Sequence, residues 1–162
     1  FTHRIFDVSS ATVKKFDAEA DVNGRVLVFT SGLELAAEPT AVANGDGTAL
    51  VADTDYVVTP INAYPAYGLT MLQSSSNYWQ GKSNGDMINA ISVTGKWGYT
   101  ISGSVPKDIV QAATRLSAFL YRQRDTNADT DRTVIVDGVT ILPSSVPQDV
   151  KSMLSPYVMR VI

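Results

Sequence analysis

The chain has 162 residues and a formal net charge of −3, so it has the length of one ordinary domain and no overall basic field for nucleic acid. It contains no cysteine, which excludes disulfide frameworks, thiolate nucleophiles and cysteine-ligated zinc. The charge is uneven: residues 1–103 hold six Lys and Arg against ten Asp and Glu, and residues 104–162 hold seven against six. Such a surface suits subunits that meet face to face, and it also occurs in monomers.

Residues 1–103 are predicted to form short strands separated by turns, because β-prone runs alternate with Gly, Asn, Asp and Pro. Asn23-Gly24 is a tight-turn dipeptide, and the prolines at 60 and 65 exclude a central strand there. Residues 74–86 are predicted to be an exposed loop that carries Tyr78 and Trp79. The predicted strands are residues 3–8, 12–16, 25–30, 40–42, 49–52, 56–59, 69–72 and 87–100, the last with a bulge or close backbone approach at Gly95 and Gly98.

From Pro106 the apolar residues repeat at helical spacing. Proline suits the first helical position, and Asp108 in the first turn favours the positive end of the helix dipole. The pattern predicts an amphipathic helix over residues 106–124, with Lys107, Arg115 and Arg122 on its polar face. The predicted apolar stripe is Ile109, Ala112, Ala113, Leu116, Phe119 and Leu120.

The remaining chain is predicted to hold a β-hairpin, a short helix and a tail. Asp137-Gly138 is a strong hairpin turn between residues 133–136 and 139–142, and a short helix over 148–154 leads to an extended tail from Pro156. The predicted fold class is therefore α+β: a β-rich, sandwich- or barrel-like body followed by one long amphipathic helix. The predicted division is a β-rich domain of residues 1–103 and a segment of residues 104–162 that forms one compact unit with it.

The sequence does not indicate a catalytic site or a metal site. His3 is the single histidine, and no serine is marked as its partner, so a Ser–His mechanism is not indicated. Residues 125–131 place oxygen side chains at alternate positions, but the calcium-loop glycine and glutamate are replaced by Thr130 and Val136. No phosphate-binding glycine loop is present. We expect no enzyme, no metal site and no cofactor, and no run of apolar residues is long enough to suggest a membrane partner.

Aromatic residues in the predicted loops offer a different class of function. They could form a platform on which a sugar or a base stacks, in a β-sandwich module for carbohydrate or ligand binding or for capsid or tail decoration. Local packing and subunit contacts are the alternative interpretation. The residues concerned are Tyr64, Tyr67, Tyr78 and Trp79, with Asn62, Asn77 and Gln80 nearby in the sequence.

Three stretches carry a family resemblance: ISVTGKWGY at residues 91–99, VPKDI at 105–109 and LYRQR at 120–124. They resemble the head–tail connector (adaptor) proteins of tailed bacteriophages, in which a V-T-G-x-W-G-Y strand leads through V-P-x-[DE]-[IV] into an amphipathic helix. The Pro-rich closing segment 142–157 is similar as well, and RIFD at 4–7 and NGDGT at 44–48 also recur in such proteins. Compact connectors are mainly helical, whereas about 100 β-rich residues precede the helix here.

The resemblance implies a structural protein of the virion neck that assembles in the host cytoplasm. It implies a ring of identical subunits, expected to be twelve, that contacts the portal protein and a tail or stopper protein and lets genomic DNA pass without reading its sequence. Lys107, Arg115 and Arg122 are then candidates for contacts to channel DNA or to the ring, with a solvated helix face as the alternative. Pro156, Tyr157 and Arg160 are candidates for contact with the portal or a neighbouring subunit.

Overall fold

A computed structural model describes residues 2–30, 32–125, 134–136, 139–141 and 146–158. Within it, residues 3–105 form one compact unit, and the described residues from Pro106 onward form a second together with Thr2. The division at 103/104 drawn from the sequence stays a prediction. The elements are β1 Thr12–Phe16, β2 Val22–Asn23, β3 Val26–Val28, β4 Ala41–Ala43, β5 Ala49–Leu50, β6 Tyr56–Thr59, β7 Gly68–Met71, β8 Ile91–Gly95, α1 Lys107–Asp125, β9 Val134–Val136, β10 Val139–Ile141 and α2 Gln148–Leu154.

The first unit holds two antiparallel four-stranded sheets, with strand orders β1-β8-β4-β5 and β2-β3-β7-β6. β8 lies inside its sheet, with Phe16 of β1 paired to Ile91 and Val42 of β4 paired to Val93. Ile91, Val93 and Gly95 are buried because alternate residues of a strand point to the same face. At Gly95 the close neighbour is a side chain, since a Cβ there would lie 2.5 Å from a Leu35 methyl carbon; the predicted close backbone approach is found at Gly98, where a Cβ would lie 2.6 Å from the Ile5 carbonyl oxygen.

One hydrophobic core draws residues from both sheets. At its centre Phe16, Phe29 and Trp97 pack with ring centroids 4.9 to 5.7 Å apart, a separation at which aromatic pairs attract. The Trp97 indole N–H donates to the carbonyl oxygen of Thr12 at 2.9 Å, so its one polar group is satisfied. The strand with the V-T-G-x-W-G-Y motif therefore supplies core residues.

The strand predicted over residues 3–8 is wrong. This segment, the N-terminal arm, holds one isolated bridge, Val8 to Ile101, and positive φ angles at His3 and Asp7 interrupt any extended ribbon. The arm still docks on its unit, because Tyr99 N–H donates to the Ile5 carbonyl at 2.7 Å.

The second unit contains α1 and α2, which pack against each other, and the β9–β10 hairpin. The predicted α+β class is confirmed, as are the long helix, the hairpin and the short helix. Among the residues of this unit whose side chains are described, Ala112 of α1 and Val150 of α2 are buried. Pro156, the predicted start of an extended tail, instead lies in a 3-10 turn, Ser155–Tyr157, that directly continues α2.

Candidate functional site

Helix α1 presents the three predicted basic residues on one exposed face. Lys107, Arg115 and Arg122 are separated by eight and seven residues, which places them within about 80° of arc and along about 22 Å of the helix axis. All three are exposed. This set is called the basic stripe below.

A groove of about 330 Å³ lies between α1 and α2, beside the basic stripe. Arg115 and Arg122 line it from α1, Asp149 and Val150 line it from α2, and Pro147 lines it from the position just before α2. Arg115 forms an ion pair with Asp149, with 2.5 Å between nitrogen and oxygen, and this bond holds the pKa of the Asp149 carboxyl below its ordinary value. Part of the stripe's charge is thus balanced within the chain.

The apolar stripe of α1 is narrower than the sequence predicted. Ala112 is buried, and Ile109, Leu116 and Phe119 are partly buried, but Ala113 and Leu120 are exposed. At 100° per residue these two lie at the edge of the stripe, away from α2. Helix α1 consequently has a second apolar face, the outer apolar face, on which Val110, Leu120 and Tyr121 are each more than half exposed.

The candidate residues of the C-terminal tail are only partly described. Pro156 is exposed and Tyr157 is half-buried, both in the turn after α2, so the two neighbouring candidates share one short element. Arg160 lies outside the described residues.

A second exposed surface lies on the connection between β6 and β7, residues 60–67, which is called the tyrosine loop below. Ile61, Tyr64 and Tyr67 are between 43% and 68% exposed there. Backbone hydrogen bonds fix the end of the loop. Tyr67 N–H donates to the Thr59 carbonyl at 2.9 Å, and Ala66 exchanges two backbone hydrogen bonds, of 2.7 and 2.8 Å, with the buried Leu35. The exposed side chains of the loop therefore project from a backbone that is fixed by hydrogen bonds.

Acidic side chains border the tyrosine loop. Glu38 and Asp53 are both exposed, and both lie close enough to Tyr64 to raise the pKa of its hydroxyl, in addition to the larger effect of burial. The same two carboxylates, together with burial as the main cause, raise the pKa of the buried Tyr56 to about 12. The loop thus combines exposed apolar and aromatic area with a negative rim.

The predicted aromatic platform is only partly assembled. Trp79, expected on an exposed loop, is 8% exposed, and its indole N–H donates to the Arg25 carbonyl at 2.9 Å. Asn77 is used internally, since its amide donates to Asp55 at 2.8 Å. A large apolar ring with one N–H gains more from burial with a satisfied donor than from exposure. Of the four aromatic candidates, Tyr64, Tyr67 and Tyr78 remain at the surface.

The sequence did not predict the ion pair between Arg4 and Glu34, whose side chains are 15% and 8% exposed. Arg4 of the arm lies 3.5 Å from Glu34 and 4.6 Å from the centroid of the Tyr99 ring. Burial raises the pKa of Glu34, and the Arg4 charge lowers it in part. No local pattern marks this pair, because its members are 30 residues apart and the RIFD segment that contains Arg4 does not indicate an acidic partner.

Within the described residues, no group of three or more His, Asp or Glu is arranged to hold a metal ion. In the same part of the chain, no helix is both long and apolar enough to cross a membrane. Neither family models nor curated proteins give a match to this chain.

Proposed function

We propose that this chain is a structural subunit of a tailed-phage neck, which forms a ring between the portal and the tail and works by assembly. The single observation that carries the proposal is that α1 has two apolar faces, of which one packs inside the unit and the other is exposed. Its inner stripe packs on α2, whereas the outer apolar face and the basic stripe remain exposed. A helix with a second exposed apolar face is typical of a surface that meets another protein.

The resemblance to connectors supports the same proposal, because its motifs coincide with structural elements. Residues 91–95 form β8, Trp97 enters the core, and VPKDI spans the start of α1. In this proposal the basic stripe faces DNA in the lumen or a neighbouring subunit, and contacts to phosphates would be independent of base sequence. The proposal assigns no catalytic step to any residue.

The test is the mass of the full chain by native mass spectrometry and sedimentation, alone and after coproduction with the portal protein of the same virion. The proposal expects a closed ring or a stable complex with the portal. A chain that stays monomeric and does not copurify with the portal under either condition refutes it.

The exposed tyrosines favour a second candidate, a β-sandwich module that binds carbohydrate. Tyr64 and Tyr67 could stack on sugar rings while Asn62 and Asp53 bond to hydroxyls. A monomer that binds a glycan on an array, and that loses this binding in Tyr64→Ala but not in Tyr78→Ala, would replace the neck proposal with this one. Tyr78 is a suitable control because it is also exposed and lies outside the tyrosine loop.

A further inference from the structure

The chain carries two exposed surfaces of opposite charge, each of which combines apolar area with charged side chains at its border. The tyrosine loop presents Ile61, Tyr64 and Tyr67 beside Glu38 and Asp53. Helix α1 presents its outer apolar face next to the basic stripe. An apolar centre with a charged rim is the usual composition of a protein interface.

We propose that the tyrosine loop, with Glu38 and Asp53, docks against α1 of a second copy of this chain. The inference rests on the proposed function and deepens it by naming the two surfaces that meet in the ring. Charge complementarity selects the occupant: the tyrosine loop is bordered by Glu38 and Asp53, and the outer apolar face of α1 lies next to the exposed Lys107 and Arg122.

The contact joins two different surfaces and is therefore heterologous. Each copy would use its loop toward one neighbour and its helix toward the other, which is the arrangement that generates rings when the rotation closes. In the contact, Ile61 and the two tyrosines would cover the outer apolar face of α1, and Glu38 and Asp53 would approach Lys107 and the guanidinium groups of the stripe. Aromatic and arginine side chains are the types enriched in such contacts.

Charge reversal tests this pairing. The loop variant is Glu38→Lys with Asp53→Asn; asparagine is chosen because Asp53 has a positive φ angle, which asparagine tolerates. The helix variant is Lys107→Glu with Arg122→Glu. Each variant alone should assemble at a concentration at least about tenfold higher than wild type, since like charges then face each other across the contact. Matched controls are Glu19→Lys and Lys14→Glu with Lys15→Glu, which change exposed charges outside the two surfaces and should assemble like wild type.

Mixing the two variants gives the decisive result. In the mixture, the basic helix of the loop variant can bind the acidic loop of the helix variant. The basic loop of the loop variant can likewise bind the acidic helix of the helix variant. An equimolar mixture should therefore regain wild-type assembly as an alternating ring, and so should one chain that carries all four substitutions. Circular dichroism of each variant shows whether it is folded. Rescue by mixing is an independent check, because a misfolded chain would not regain assembly.

The absence of native cysteine permits a direct distance test. Ile61→Cys in one population and Gln111→Cys in another, treated with a short bismaleimide, should give covalent dimers only when both populations are present. Both positions are exposed, and Gln111 lies on α1 between Lys107 and Arg115. A wild-type ring with no cross-link between these populations, or with unchanged assembly in both reversal variants, overturns the inference and leaves the neck proposal standing. A wild type that neither forms a ring nor binds the portal refutes both.

Discussion

Replacement of Asp55 tests how the loops of the β-rich unit are held. The residue is 8% exposed, and its carboxylate accepts three hydrogen bonds. Oδ1 accepts from the Ser75 hydroxyl at 2.6 Å and from the Asn77 amide at 2.8 Å, and Oδ2 accepts from the Val51 N–H at 2.9 Å. One side chain thus ties the β5–β6 turn to the beginning of the loop at residues 74–86.

The structure sets the size of the expected loss. Asp55→Ala leaves three donors without their acceptor, and if partial hydration limits the cost to about 1 kcal/mol each, the free energy of unfolding falls by about 3 kcal/mol. Asp55→Asn keeps one oxygen for Ser75 and Asn77 but turns an amide toward the Val51 N–H, so a loss of about 1 kcal/mol is expected. Glu19→Ala, at an exposed position in the same unit, should change stability by less than about 0.5 kcal/mol.

The pH dependence follows from the same contacts. Hydrogen bonds from Ser75, Val51 and Asn77, in that order of effect, lower the pKa of Asp55. A lowered folded-state pKa means that the stabilisation is complete above the ordinary aspartate pKa, about 4, and is lost as the pH falls through the folded-state pKa. The advantage of wild type over Asp55→Asn should therefore shrink below about pH 4.

Urea unfolding followed by tryptophan fluorescence measures these differences. The two tryptophans of the chain, Trp79 and Trp97, both lie in the unit formed by residues 3–105, so the signal reports on that unit alone. A loss below about 0.5 kcal/mol for Asp55→Ala, or an advantage over Asp55→Asn that is equal at pH 3 and pH 7, would refute this account of the network.

Three further outcomes are expected. Asn44→Ala should lower the free energy of unfolding by about 2 kcal/mol in the same fluorescence assay, because the buried Asn44 amide forms hydrogen bonds of 2.7 and 3.0 Å with two backbone groups of the loop at residues 74–86. A loss no larger than that of Glu19→Ala would contradict this role. Arg115→Ala should lower stability no more than Glu19→Ala does, measured by circular dichroism at 222 nm, because its ion pair with Asp149 is about half exposed and screened by solvent. A clearly larger loss would show that the pair is structural. Deletion of residues 156–162 should abolish copurification with the portal while circular dichroism stays unchanged, and retained docking would remove the tail from the proposed contacts.

Local patterns predicted the elements whose stability depends on neighbours in the sequence. α1 was expected over 106–124 and runs over Lys107–Asp125; α2, β1 and β6 have the expected bounds, and the hairpin was also anticipated. Amphipathic period, turn dipeptides and β-prone runs act within a few residues, which is why one sequence reveals them. The candidate basic stripe was predictable for the same reason, because helical spacing alone places its members on one face.

Long-range contacts decided the rest. The position of β8 between β1 and β4, the burial of Trp79 against Arg25 and the Arg4–Glu34 pair join residues 30 to about 80 positions apart. Ala113 and Leu120, at the edge of the predicted apolar stripe of α1, are exposed because α2 covers only part of that stripe. The sequence by itself determined the class of fold and the order of its elements, since these follow from local periodicity and turn chemistry. Only the tertiary structure decided which apolar and charged side chains remain at the surface, because burial depends on the partner that each face finds.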